Sequence, residues 1–246
     1  DLTAAQVARL STAQVVALTT AEIVALTTGQ AAALITQQGF ALTTAQLVAM
    51  DTRDFAALSS DLIAALQTAQ VLALGTAQIV ALTTGQAQAL TTQQGYALGT
   101  AQLVALETRD FAAITTAQIS ALTTAQVAAL TTDQVVTLST DQTAALTTAQ
   151  LAAFTTAQLV TMEVDDFAAI TTAQITALKT AQIASLTTAQ VVALTTAQVA
   201  NLTTAQLSAF TTAQLVTMET EDIAAITTEQ ITSLTTAHVS ALTSDQ

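Results

Sequence analysis

Apolar and polar positions recur along this chain with a period of eight. From Thr3 to Leu242 the sequence divides into thirty consecutive octads with the consensus T-T-A-Q-V-x-A-L, without insertion or deletion. Thr187–Leu194 reads TTAQVVAL in full. Position two is Thr in 27 of the thirty, with Ala4, Ser60 and Val164 as the exceptions, and position eight is always apolar. Position four is Gln in nearly every copy. Position one is looser and admits Gly75, Gly99, Lys179, Gln67 and Ile35.

The octad excludes two of the three elements it could build. As a strand, alternation would place Thr, Gln, x and Leu on one face, which is no core face. Six glycines and one asparagine (Asn201) also cannot turn thirty β-corners. As one long helix, eight residues at about 100° each drift by roughly 80° per repeat, so the apolar stripe would wind quickly around the axis. The third element fits: one short helix per octad, of roughly six residues and about 9 Å. Ala, Gln and Leu favour helix, and positions five and eight are i,i+3 neighbours on one face. The Thr pair marks each helix start. Position one gives a capping box with Gln at the third helical residue, while the more uniform position two is the favoured N-cap, with position one as the end of the preceding helix. A helix this short is unstable alone. The expectation is an all-α solenoid, a superhelix of very short helices that stabilise one another along the stack.

A second period overlies the first. An acidic octad recurs at 56-residue intervals: DTRDFAAL at Asp51, ETRDFAAI at Glu107, EVDDFAAI at Glu163 and ETEDIAAI at Glu219. The super-repeats are 3–58, 59–114, 115–170 and 171–226, with a partial fifth at 227–246, all within one continuous solenoid spanning 1–246. Seven octads would return the chain to an equivalent place either in one turn or in two turns of three and a half. The octads at Ile35 and Thr91 carry Gly39-Phe40 and Gly95-Tyr96; their counterparts carry Leu151 with Phe154 and Leu207 with Phe210. This exchange predicts one core site per super-repeat, filled by a ring from either position.

Composition narrows the class further. The chain has no proline and no cysteine, so disulfides and thiolate metal sites are excluded. Charged residues are 9%, against roughly 25% in an average soluble domain. A hydrophobic content of 52% argues against disorder. The net charge of −13 opposes binding to nucleic acid or to anionic membranes. The longest apolar runs, such as Leu62–Leu66, are far too short to span a bilayer, so no membrane insertion is expected. The chain opens on Asp1 and stops partway into an octad, which reads as a piece of a longer repetitive protein.

Candidate chemistry is sparse. His238, the single histidine, replaces a Gln and is expected at the surface. No Ser-His-Asp set, phosphate loop or HExxH motif is present, so no enzyme is expected, with no catalytic residue and no cofactor. The acidic octads are the exception. Asp51 and Asp54, Glu107 and Asp110, Glu163 and Asp166, and Glu219 and Asp222 fall at helix starts, where carboxylates favour the N-terminus. Arg53 and Arg109 offset them in the first two units; Asp165 and Glu221 replace Arg in the last two. Capping on a solvated surface is one reading. If 56 residues make one rise, the same eight residues form a ladder that Ca²⁺ could bridge. Regular Thr rows are also what ice-binding proteins present, although capping explains the same residues.

LTTAQVVAL at Leu186–Leu194 resembles the opening helix of a TAL-effector repeat over nine residues. The rest of that unit and its positive charge are missing, which removes DNA reading. The whole chain resembles the Thr/Ala/Gln-rich octapeptide arrays of large bacterial surface and secreted proteins. That resemblance implies extracellular or cell-surface structural use. The expected function is therefore a non-enzymatic rod, filament, sheath or adhesin stalk that self-associates into a fibre or lateral assembly. The alternative is a binding solenoid for a glycan, a peptide or an ice surface; position six varies (Val16, Ala32, Ser120, Thr176), but mostly among small residues, which favours a packed or lattice-facing surface over a recognition row.

Overall fold

The computed structural model describes residues 2–246. Among them are thirty α-helices of four to six residues and no strand, numbered in chain order from α1 (Ala4–Val7) to α30 (Thr236–Ala241). No described helix is long and apolar enough to cross a membrane. Each octad is one helix, and the all-helical solenoid expected from the repeat is present.

Position one, not position two, is the N-cap. In the consensus octad the Gln190 N–H donates to Thr187 Oγ1 at 3.2 Å, and the Thr187 N–H donates to Gln190 Oε1 at 3.1 Å. This reciprocal pair satisfies two orphan amides of the helix start. Position one is the looser of the two because the Gln half of the box suffices without a hydroxyl. The Ile35 and Lys179 N–H groups still donate to Gln38 and Gln182 Oε1, at 2.9 and 2.7 Å.

The corners need neither glycine nor proline. Leu186 ends one helix at φ −54°, ψ 141°, and Thr187 opens the next at φ −70°, ψ 156°. Two extended residues carry the chain around the corner, and no described residue has a positive φ. These angles suit Leu and Thr as well as any residue.

The described residues fall into two compact units that divide between Leu122 and Thr123. Within each, a helix packs on its third neighbour along the chain. In the first unit α5 (Thr36–Ala41) packs on α8 (Ser60–Ala65), and in the second α19 (Thr148–Ala153) packs on α22 (Thr172–Ala177). Hydrogen bonds meanwhile reach the fourth neighbour back, across 28 residues (Gln70 to Leu42, Gln206 to Leu178). A turn thus takes between three and four octads, and the 56-residue super-repeat makes two turns. Successive acidic octads of one unit are separated by an intervening turn, so they do not form the ladder that a single-turn super-repeat would give.

Positions five and eight form the core. Val15, Leu47, Leu103, Val127 and Val191 at position five are at most 2% exposed, and the position-eight leucines lie just beneath the surface. The acidic octads contribute Phe55, Phe111 and Phe167, all fully buried at position five. The expected ring exchange holds only in the second unit, where Phe154 and Phe210 are buried. Phe40 and Tyr96 are 57% and 61% exposed, because position six lies one residue, about 100°, away from the inward-facing position five. Leu62, which stands at position four where most octads have Gln, packs over Gly39 instead.

Candidate functional site

The recurring polar group of the interior is the position-four glutamine. Gln206 is 2% exposed. Its Oε1 accepts the Thr203 N–H at 3.0 Å, and its Nε2 donates to the carbonyls of Ile175 and Leu178, both at 2.8 Å. Gln46, Gln78, Gln94, Gln158 and Gln190 repeat the arrangement. One carboxamide therefore caps its own helix and also satisfies carbonyls at the C-terminal end of a helix in the preceding turn, where orphan acceptors lie. Sequence reasoning offered this capping box as the less favoured of two alternatives and missed the bridge.

Each acidic octad replaces that donor with a carboxylate. Asp54, Asp110, Asp166 and Asp222 are buried, at 1–6% exposure, so they are not the solvated surface groups expected. Asp51 accepts the Asp54 N–H at 2.8 Å and caps the helix. Glu107, Glu163 and Glu219 occupy the same N-cap position without a side-chain cap bond. The Thr28 hydroxyl donates to Asp54 Oδ1 at 2.7 Å, and the Thr84 hydroxyl to Asp110 Oδ1 at 2.5 Å, each across 26 residues. Arg109 adds ion pairs to Asp110 at 3.2 Å and to Glu107 at 3.5 Å. Asp110 Oδ2 is buried without a hydrogen-bond partner.

Burial pushes the Asp166 carboxyl above the ordinary aspartate range, with Glu163 and Asp165 adding to the shift. Burial also raises Asp222; a hydrogen bond from Thr196 opposes this and Glu221 reinforces it. Each of these octads buries one carboxyl and keeps its other acids towards solvent. Among the described residues, no three His, Cys, Asp or Glu side chains come together as metal ligands.

His238 is 6% exposed, not at the surface. Its Nδ1 accepts the Thr235 N–H at 3.3 Å, and its own N–H donates to Thr235 Oγ1 at 3.1 Å. It substitutes for Gln in the capping box, with Nδ1 as the acceptor nitrogen.

Two open grooves surround the exposed rings. One is about 770 Å³ and is lined by Thr68, Leu72, Thr92, Gln93 and Tyr96 among others; the second is about 400 Å³ and is lined by Thr12, Thr36, Gln37, Phe40 and Ala65.

Tandem octads capped at position one and joined turn to turn through buried glutamine define an all-α repeat solenoid. A family model described as the ALTTAQ repeat matches residues 40–68, 63–92, 103–140, 159–196 and 215–246, and the chain belongs to the ALTTAQ repeat family. No curated protein matches the chain.

Proposed function

We propose that the chain is a non-enzymatic structural element, a segment of an extracellular or cell-surface rod, filament, sheath or adhesin stalk. The observation that supports it most is the glutamine bridge. It recurs through both units and ties each turn to the one before through two carbonyl acceptors. Stability then accumulates along the stack, as in other repeat arrays where each unit contacts only its neighbours. In this reading the polar interior serves cohesion.

Self-association is the second part of the proposal. Position six exposes large apolar side chains, among them Val24, Val48 and Leu72 at 45–58% exposure. Such a row is suited to lateral packing of like against like. The charge of −13 argues against nucleic acid as a partner.

Electron microscopy of the purified chain, with sedimentation velocity across a concentration series, tests the reading. Elongated assemblies that grow with concentration are expected. Discrete monomers at high concentration would overturn it. A melting temperature unmoved by added CaCl₂ is expected, since no structural metal is invoked.

A further inference from the structure

The two grooves of the first unit are the same groove twice. Thr12, Thr36, Gln37, Phe40 and Ala65 line one; Thr68, Thr92, Gln93, Tyr96 and Ala121 line the other, each residue 56 positions on. The first is built by α2 (Thr12–Ala17), α5 and α8, the second by α9 (Thr68–Ala73), α12 (Thr92–Ala97) and α15 (Thr116–Ala121), each set packed as third neighbours.

The octads that place a ring at position six are also the only two with Gln at position three, TQQGF and TQQGY. Gln37 and Phe40, like Gln93 and Tyr96, are three residues apart and share one helix face. Both features lie outside the buried core. Both rings are more than half exposed, and Gln37 and Gln93 are exposed, in contrast to the buried bridging glutamines at position four. No charged side chain lines either groove.

We propose that each groove is a subsite for a neutral β-linked glycan of gluco configuration, with Phe40 or Tyr96 as the stacking platform. In such a pyranose all ring substituents are equatorial. Its faces therefore present only C–H groups, which match an open aromatic face, while its edge presents hydroxyls. The Gln37 or Gln93 carboxamide offers both a donor and an acceptor to that edge, and the position-two threonines offer hydroxyls. Both grooves are open and mostly apolar, and their volumes lie within the range of about 300–1,000 Å³ found for small-ligand sites. The absence of charge in the lining selects a neutral sugar over an acidic one. A monomer would carry both subsites, so the inference does not need the assembly reading; the two share the position-six face at Leu72, where lateral packing and glycan binding would compete.

The single tyrosine, with no tryptophan anywhere in the chain, makes intrinsic emission a reporter of the second groove alone. The test is a titration of the full chain with cellotriose and chitotriose, read by tyrosine fluorescence and by calorimetry. A change in emission is expected with at least one of the two, with Kd between about 0.1 and 1 mM and two equivalents per chain. Phe40→Ser should reduce the stoichiometry to one and leave the emission change intact. Gln93→Ala should weaken the fluorescence-detected site by roughly tenfold, the loss of about one hydrogen bond to an uncharged partner. Tyr96→Phe should keep both sites by calorimetry. Absence of heat and of emission change with both saccharides overturns the proposal. So does binding that survives Phe40→Ser with Tyr96→Ser. A dimer of the free chain abolished by that same double substitution would assign the grooves to a second copy, and would equally overturn it.

Discussion

Leu62 lies so close over Gly39 that a Cβ built on the glycine would meet its Cγ at 2.5 Å and its Cδ2 at 2.7 Å. The equivalent glycine 56 residues on, Gly95, has nothing within 4 Å of that position. The matched pair separates packing from backbone propensity. Gly95→Ala should stabilise by about 0.5–1 kcal/mol, the ordinary gain of alanine over glycine inside a helix. Gly39→Ala should destabilise by roughly 1–3 kcal/mol through overpacking against a fully buried leucine. Adding Leu62→Gln should restore most of that loss, since Gln118 stands 56 residues on from Leu62 as Gly95 stands 56 on from Gly39, and a Cβ at Gly95 meets nothing within 4 Å. Urea denaturation of the three variants measures all of this.

Capping by position one has a direct check. Thr187→Ala removes the acceptor for the Gln190 N–H and should cost about 1 kcal/mol. Thr188→Ala changes an exposed first-turn residue and should stay within roughly 0.5 kcal/mol of the parent. An equal loss from the two would contradict the assignment.

The glutamine bridge makes a stronger demand. Gln206→Glu keeps the oxygen that accepts the Thr203 N–H but turns an acceptor toward the Ile175 and Leu178 carbonyls. The expected loss near neutral pH is about 2–3 kcal/mol, for a buried donor replaced by a charged acceptor. Acidification should return part of it, because a protonated Glu regains a donor. Hydrogen exchange at the neighbouring turns should report the same loosening.

Thr143 occupies position five, fully buried, with an unpartnered hydroxyl. Thr143→Val conserves shape and removes the stranded polar atom. A gain of about 1–2 kcal/mol is expected in thermal or urea unfolding.

The buried acids give the second unit an unusual pH response. Asp166 and Asp222 carry pKa values raised above 3.8 in the folded state, so the folded chain holds these protons more tightly than the unfolded one. Their effect on stability is absent below the ordinary aspartate value. It becomes unfavourable as pH rises through the folded values and is complete above them. Asp166→Asn with Asp222→Asn should therefore be more stable than the parent near pH 7, with the difference closing as pH falls towards about 4. A constant difference across that range would remove titration as its cause.

One helix per octad, its short length and its inward positions were legible because period, propensity and capping chemistry agree within eight residues. The capping threonine was misread from uniformity. Position one tolerates Gly75 and Lys179 because the Gln oxygen alone secures the N-cap amide. The bridge was hidden by distance, since its acceptors lie 28 and 31 residues back. A trace of it was nevertheless present. A capping box accepts Glu and Gln alike, yet position four holds Glu only at Glu22, which is exposed and bonds solely to Thr19. The exposure of Phe40 was obscured because the residue that packs beside Gly39, Leu62, belongs to a different octad three helices on.

A packing rule that joins each octad to its third and fourth neighbours also governs how such a chain can lengthen. Copying seven octads at once preserves the recurring pairings: Thr28 stays with Asp54 as Thr84 stays with Asp110, and each ring keeps its own glutamine and threonines. Copying a number of octads that is not a multiple of seven keeps the helices and the glutamine bridges but, where the junction falls within such a pair, sets a buried carboxylate against the wrong turn. The 56-residue block is thus the smallest insertion that this architecture can accept without re-pairing its exceptions, and duplication in that unit lets the array grow while its core stays solved.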